Sequence, residues 1–405
     1  MAQFDAAAAT AAYLAQLSPE AHAKAEAYTQ GGHWVSLWGS LAAVLVAWLV
    51  LRSGLLVRLR AAVERAGPRP WRAVFAVLLA DAALEAGLIL PWRTYADWWR
   101  ERSYGLTDQA FGGWLSEWGL LTVISSLATV LLLSLIYMLI RRAPRTWWLW
   151  SGALATGFVI LTVVISPVFI MPLFNDYKPA PPGPVREAVA QMARANGVPA
   201  DKIMIYDGSR QSNRYTANVA GLFGTARIAM SDVMFKKGAD LAEVSAVVGH
   251  EMGHYVRGHI FIIAGAYGLL SLAAFFLVDR LFQPALRMTG AKGVTGLSDP
   301  AGFPVIGLIV TVLALLGTPL TTAVTRLTEA DADTFSLRAA GEPDGLARAL
   351  AKTIEYRAAT PSALEEAIFY DHPSVGRRIR KAMDWKAAHM SRPSTPAPAK
   401  PVSAS

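Results

Sequence analysis

Residues 248–254 read Val-Gly-His-Glu-Met-Gly-His, and residues 325–333 read Thr-Arg-Leu-Thr-Glu-Ala-Asp-Ala-Asp. The first stretch is an H-E-x-x-H pattern set in helical periodicity. Residues four apart share a helix face with Cβ atoms about 5–6 Å apart, so the imidazoles of His250 and His254 can grip one cation. Glu251 then stands beside the open coordination position, where a carboxylate can take a proton from an attacking water. A catalytic zinc takes a third protein ligand, and Glu329 is the candidate. Asp333, one turn further on the same face, can hydrogen-bond a ligating His and fix its tautomer, or shuttle a proton. Asp331 points elsewhere and reads as solvated. His259, five residues past His254, falls roughly 140–180° around a continuing helix and is not expected to be a ligand. His22, His33 and His389 lie in polar terminal segments and read as surface residues. The expected cofactor is one Zn2+ ion, although cobalt or manganese also suit two His and one carboxylate.

Working outward, the rest of the chain is apolar enough to need lipid. Of its 405 residues 54% are hydrophobic and only 17% charged, and its mean hydropathy is positive. A helix needs about 20 apolar residues to cross a hydrocarbon core. Six windows qualify: Trp34 to Val57, Ala73 to Leu90, Trp118 to Ile140, Trp147 to Ile170, His259 to Val278 and Phe303 to Val324. Two of them separate His254 from Glu329, and an even number returns the chain to the side it left, so the two motifs can meet. The net charge of +8 sits with Arg near span ends and with Trp at interfaces, such as Trp98, Trp99, Trp147, Trp148 and Trp150. This pattern implies a lipid bilayer as partner and no nucleic acid. The absence of cysteine excludes disulfides, thiol catalysis and a Cys-ligated metal. The first 32 residues lack a basic n-region, so no secretory processing is expected.

The expected fold is mainly α, a multi-span α-helical membrane protein with a small α+β zinc-metalloprotease subdomain. Its expected divisions are a polar N-terminal segment (1–33), a membrane domain of four spans (34–172), a metallopeptidase domain with two more (173–386) and a disordered tail (387–405). Within the polar stretch after the fourth span, Pro184 to Asn196 has helical spacing, while Lys202 to Tyr206 and Arg227 to Met230 read as short strands. A helix N-capped by Asp240 is expected to carry His250 and His254 and to continue into the fifth span. Leu327 to Ala340 and Asp344 to Arg357 read as helices. Asp81 and Glu85, one turn apart in the second span, are costly in lipid and call for an aqueous cavity or an Arg partner.

With both motifs placed, the chain resembles the type I CAAX prenyl endopeptidases, integral-membrane zinc metalloproteases. Leu90 to Tyr95, Glu101 to Leu106, Pro172 to Pro179 and Asp207 to Arg210 resemble that family's segments, and His250, Glu251, His254, Glu329 and Asp333 fall on its metal and catalytic pattern. Asp371, His372, Pro373 and Arg378 resemble its D-H-P-x-x-x-x-R motif. The resemblance implies that His372 steadies the oxyanion and substrate, supported by Arg378, and that Asn213 or Asn218 clamps the substrate backbone. It also implies an extended peptide added to the edge of the Arg227 to Met230 strand. The family's usual first span has no counterpart here, and Thr325 and Arg326 replace its Ser-Arg pair. The expected function is membrane-embedded zinc metalloendopeptidase, acting on membrane-associated proteins or C-terminal tails. The alternatives are a catalytically silent scaffold or chaperone and a proton-coupled transporter. The Ala- and Arg-rich composition suggests a bacterial inner membrane. Arg52, Arg58, Arg60, Arg141 and Arg142 would place the catalytic face outside the cytoplasm, whereas the resemblance implies a cytoplasmic site, so sidedness stays open.

Overall fold

A computed structural model describes residues 4–65, 67, 70–221 and 226–390. Six helices in it are long and apolar enough to cross a membrane: Pro19–Ser53, Pro70–Ser103, Phe111–Arg142, Trp147–Leu173, His259–Thr289 and Pro300–Ala340. Each contains one of the six expected windows, except that the first window runs past a break at Gly54. Exposed Leu131, Leu161 and Leu269 face outward from these helices, as lipid contact requires. The interior of the bundle is packed around Leu78, Tyr137, Trp147, Phe282 and Val305.

The helices are longer than their hydrophobic windows because their ends leave the lipid to build the subdomain. The expected polar segment 1–33 is largely helical: Ala6–Leu14 is capped by Asp5, and Pro19–Ser53 starts on a Ser18 cap and runs unbroken into the first span. His22 accordingly lies against Leu14, with Nε2 2.9 Å from its carbonyl oxygen. At the other end, Val375–Met390 is one amphipathic helix, so residues 387–390 of the expected tail are ordered by their continuity with it; the rest of that tail lies outside the described residues. Asp81 has no Arg partner among the described residues. Its carboxylate is fully buried and neither oxygen has a hydrogen-bond partner.

The small sheet has the order β1 (Tyr177–Pro179), β2 (Ile203–Tyr206), β4 (Arg227–Ser231), β3 (Ala217–Ala220). β4 runs parallel to β2 and antiparallel to β3, pairing Ile228 with Ile203 on one side and with Val219 on the other. The expectation that β4 offers an edge to a peptide is therefore corrected: both its sides are taken. The edges belong to β1 and β3, and the one beside β4 is β3, whose Ala-Asn-Val-Ala sequence carries too little β-branched bulk to read as a strand.

The helix Leu241–Val256 begins as expected, with Asp240 accepting from the Glu243 amide at 2.8 Å. It does not continue into the fifth span. Gly258 adopts φ 63°, a left-handed conformation natural to glycine, and a new helix starts at His259. The third-ligand helix shows the opposite departure, since the sixth span and the Leu327 to Ala340 segment form one helix, Phe303–Ala340. The two helices approach closely because Gly249 and Gly253 lie on one face. A Cβ on Gly253 would stand 3.0 Å from the Ala332 Cα, and one on Gly249 would stand 3.3 Å from Ser336 Oγ. Ser336 Oγ also donates to the Ala246 carbonyl at 2.6 Å, locking the register.

Candidate active site

This glycine-mediated approach brings the two sequence motifs together. His250, His254 and Glu329 each offer a ligand atom, all within 4.8 Å of one another. The Nε2 of His250 lies 3.0 Å from Glu329 Oε2, and the Nε2 of His254 lies 3.3 Å from Glu329 Oε1. Glu329 Oε2 is buried and has no hydrogen-bond partner although imidazole nitrogens stand close to it. Two ring nitrogens and an unsatisfied carboxylate oxygen converging on one point are a donor set that suits a divalent metal ion.

Behind His250, Asp333 Oδ1 lies 2.9 Å from Nδ1. Asp333 is in turn held by Arg378, whose Nε and terminal nitrogen donate to the two carboxylate oxygens at 2.8 and 2.7 Å. Arg378 is buried in this fork and anchors Asp333, and it also borders the cleft that holds His250 and Glu251. Burial pulls His250 towards its neutral form, but Asp333 and Glu329 outweigh it and lift its pKa to about 9. The negative surroundings that favour an imidazolium there equally favour a divalent cation between the rings. Glu251 lines the cleft beside His250. Burial raises its carboxyl pKa above the ordinary range, opposed by the two neighbouring imidazoles, which is the direction that strengthens a carboxylate as a base.

His372 completes the ring of groups. Its Nε2 lies 3.2 Å from Glu329 Oε2 and its Nδ1 lies 2.7 Å from Asp371 Oδ1. Burial lowers its pKa and the Asp371 contact opposes that. The turn that carries it is pinned by Arg326, which donates to the carbonyls of Glu366 and Tyr370 at 2.9 and 2.5 Å. Two cavities meet at this residue. A cleft of about 500 Å3 is bordered by Thr216 and Ala217 at the start of β3 and by His250 and Glu251. A larger cavity of about 950 Å3 runs between the first and last spans, along Trp34, Leu37, Leu316 and Pro319. His33, expected at the surface, lines the larger cavity and stacks on Phe369 with ring centroids 4.1 Å apart.

The two candidate Asn residues separate. Asn213 is tied to the loop after the second span, donating to Asp108 Oδ2 at 2.9 Å and to the Gly105 carbonyl at 3.2 Å. Asn218 sits on β3, and its Oδ1 is buried without a partner. His259 stays outside the three converging donors, but the far-side placement expected for it and the solvated reading of Asp331 are both corrected. His259 Nδ1 lies 3.0 Å from His254 Nδ1, and its Nε2 lies 3.1 Å from Asp331 Oδ2. The rotation expected on a continuous helix fails because the helix breaks at Gly258; a Gly one residue before a His is the signal that could have revealed the turn.

Known proteins match this arrangement. Residues 179–386 match peptidase family M48, and residues 5–176 match the CAAX prenyl protease N-terminal region described as five membrane helices. An uncharacterized metalloprotease of Bacillus subtilis, YhfN, is 28% identical over 90% of this chain and 86% of its own. CAAX prenyl protease 1 of Saccharomyces cerevisiae is 30% identical over 56% of this chain and 53% of its own. The crystal structure of S. mikatae Ste24p superposes with a TM-score of 0.75 at 23% identity, covering 91% of this chain and 90% of that one, and so shares its fold. A match to the M48 profile across half the chain, on a bundle of six apolar helices, identifies this protein as a member of peptidase family M48 and a membrane-spanning metalloendopeptidase.

Proposed function

We propose that the enzyme holds one Zn2+ ion through His250, His254 and Glu329 and cleaves peptide bonds in membrane-associated proteins or their C-terminal tails. The observation that carries this reading is the convergence of those three side chains with Glu251 beside them. When bound, zinc would polarise the scissile carbonyl and acidify the attacking water. Glu251 takes the proton from that water and passes it to the leaving amine. Asp333, fixed by Arg378, keeps the proton of His250 on Nδ1 and its Nε2 free to ligate. His372, backed by Asp371, steadies the oxyanion as charge develops.

An extended peptide pairs with the free edge of β3, the strand that carries Asn218 and whose start borders the cleft, while Asn213 serves the loop it is bonded to. The larger cavity supports substrates that arrive from the bilayer, because apolar Trp34, Leu37, Leu315 and Leu316 of two spans line one part of it and it reaches His372. CAAX prenyl protease homologues give the C-terminal-tail reading its chemistry. The Ala- and Arg-rich composition and the Bacillus relative support a bacterial cell membrane. Removal of metal tests the proposal. A strong chelator is expected to abolish cleavage of a reporter peptide by the detergent-purified enzyme, and one equivalent of Zn2+ to restore it. Full activity in the metal-free protein would refute it.

A further inference from the structure

The two histidines of the metal site are held from behind in different ways. In both rings Nε2 faces Glu329, so Nδ1 is left to the protein. His250 Nδ1 meets a carboxylate directly, that of Asp333, itself gripped by Arg378. His254 Nδ1 meets the Nδ1 of buried His259 at 3.0 Å instead. The far nitrogen of His259 then lies 3.1 Å from Asp331 Oδ2, and Arg257 Nε approaches the same oxygen at 3.5 Å.

Proton placement along this chain has a single solution once His254 ligates a metal. Coordination takes the lone pair of its Nε2, which leaves its proton on Nδ1 as a donor. His259 must accept with Nδ1, so its own proton sits on Nε2, aimed at Asp331. We infer that His259 and Asp331 are positioning residues that fix the tautomer and ring orientation of His254, as Asp333 and Arg378 do for His250, and so set how tightly the enzyme keeps its ion. The inference rests on the reading that His250, His254 and Glu329 are the ligands. It explains why Asp331 and Asp333 share the Glu-Ala-Asp-Ala-Asp stretch with Glu329: one carboxylate serves each imidazole, directly or through one more ring. It also gives the Gly258 break a purpose, since an unbroken helix would carry His259 away from His254.

The test compares full-length parent, His259→Phe, His259→Asn and Asp331→Asn in detergent. Zinc affinity is read by competition with a chromophoric chelator, and site geometry by the visible spectrum of the Co2+-substituted protein. Partners of this kind are worth about 10- to 100-fold in metal affinity. His259→Phe is expected to lose affinity over that range and to shift the cobalt bands. His259→Asn, whose Oδ1 can stand where Nδ1 accepts, is expected to recover most of the loss. Asp331→Asn, at a half-exposed side chain whose replacement spares the fold, is expected to weaken zinc binding as well. Parent-like affinity in both His259→Phe and Asp331→Asn would overturn the inference, and so would equal damage in the Phe and Asn variants of His259, which would mark a packing role. A parent protein that takes up neither ion would instead overturn the three-ligand reading, and this inference with it.

Discussion

Glu251→Gln is expected to slow peptide cleavage by about 10^2- to 10^4-fold, the usual share of a positioned general base, while zinc stays bound. The amide keeps the size and much of the polarity of the carboxylate but cannot accept the water's proton. Each tenfold loss corresponds to about 1.4 kcal/mol of transition-state stabilisation, so the effect lies far outside what a surface substitution produces. Glu251 is outside the set of three converging donors, and for that reason metal content and turnover should separate in this variant. Steady-state kinetics on a reporter peptide and metal analysis of the same preparation make the comparison. Equal turnover in both forms would remove Glu251 from its assigned role, and parallel loss of metal would recast it as a ligand.

Glu329→Ala is expected to do the reverse, taking activity away by taking the ion away. The carboxylate stands within 3.3 Å of both imidazole Nε2 atoms and brings negative charge to the point where they converge. Its loss should cost more than the roughly 100-fold attributed to groups outside the coordination sphere. Binding to the native state stabilises it by mass action, about 2.7 kcal/mol at a hundred times the dissociation constant. Added zinc should therefore raise the thermal unfolding temperature of the parent and leave Glu329→Ala nearly unmoved. In metal-free protein the substitution also removes the carboxylate that helps hold buried His250 protonated, so the readout is the zinc-dependent shift and not the unfolding temperature itself. A zinc-dependent thermal shift of parental size in this variant would exclude Glu329 as a ligand.

The sequence was most legible where periodicity and chemistry coincide. Spans declare themselves by apolar length alone, and His250, Glu251 and His254 by a spacing that only a helix makes useful. Glu329 could be paired with them because an even number of spans separates the motifs. What stayed hidden depends on backbone geometry that side-chain pattern does not encode. The turn at Gly258 converts His259 from a residue on the far side of a helix into a neighbour of His254, and with it Asp331 from a solvated carboxylate into a partner. β3 escaped because two alanines, an asparagine and a single valine carry little strand signal, and missing it made β4 look like an edge. Arg378 was recognisable by motif, but its partner Asp333 lies on another helix, and no local rule assigns a guanidinium to a carboxylate so distant in sequence.

X-ray absorption at the zinc edge of the purified, active enzyme tests the central claim most directly. The account predicts one zinc per chain, with two imidazole nitrogens and carboxylate oxygen in its nearest shell at roughly 2.0–2.2 Å. A shell without paired imidazole scattering, or active protein carrying no zinc, would contradict it.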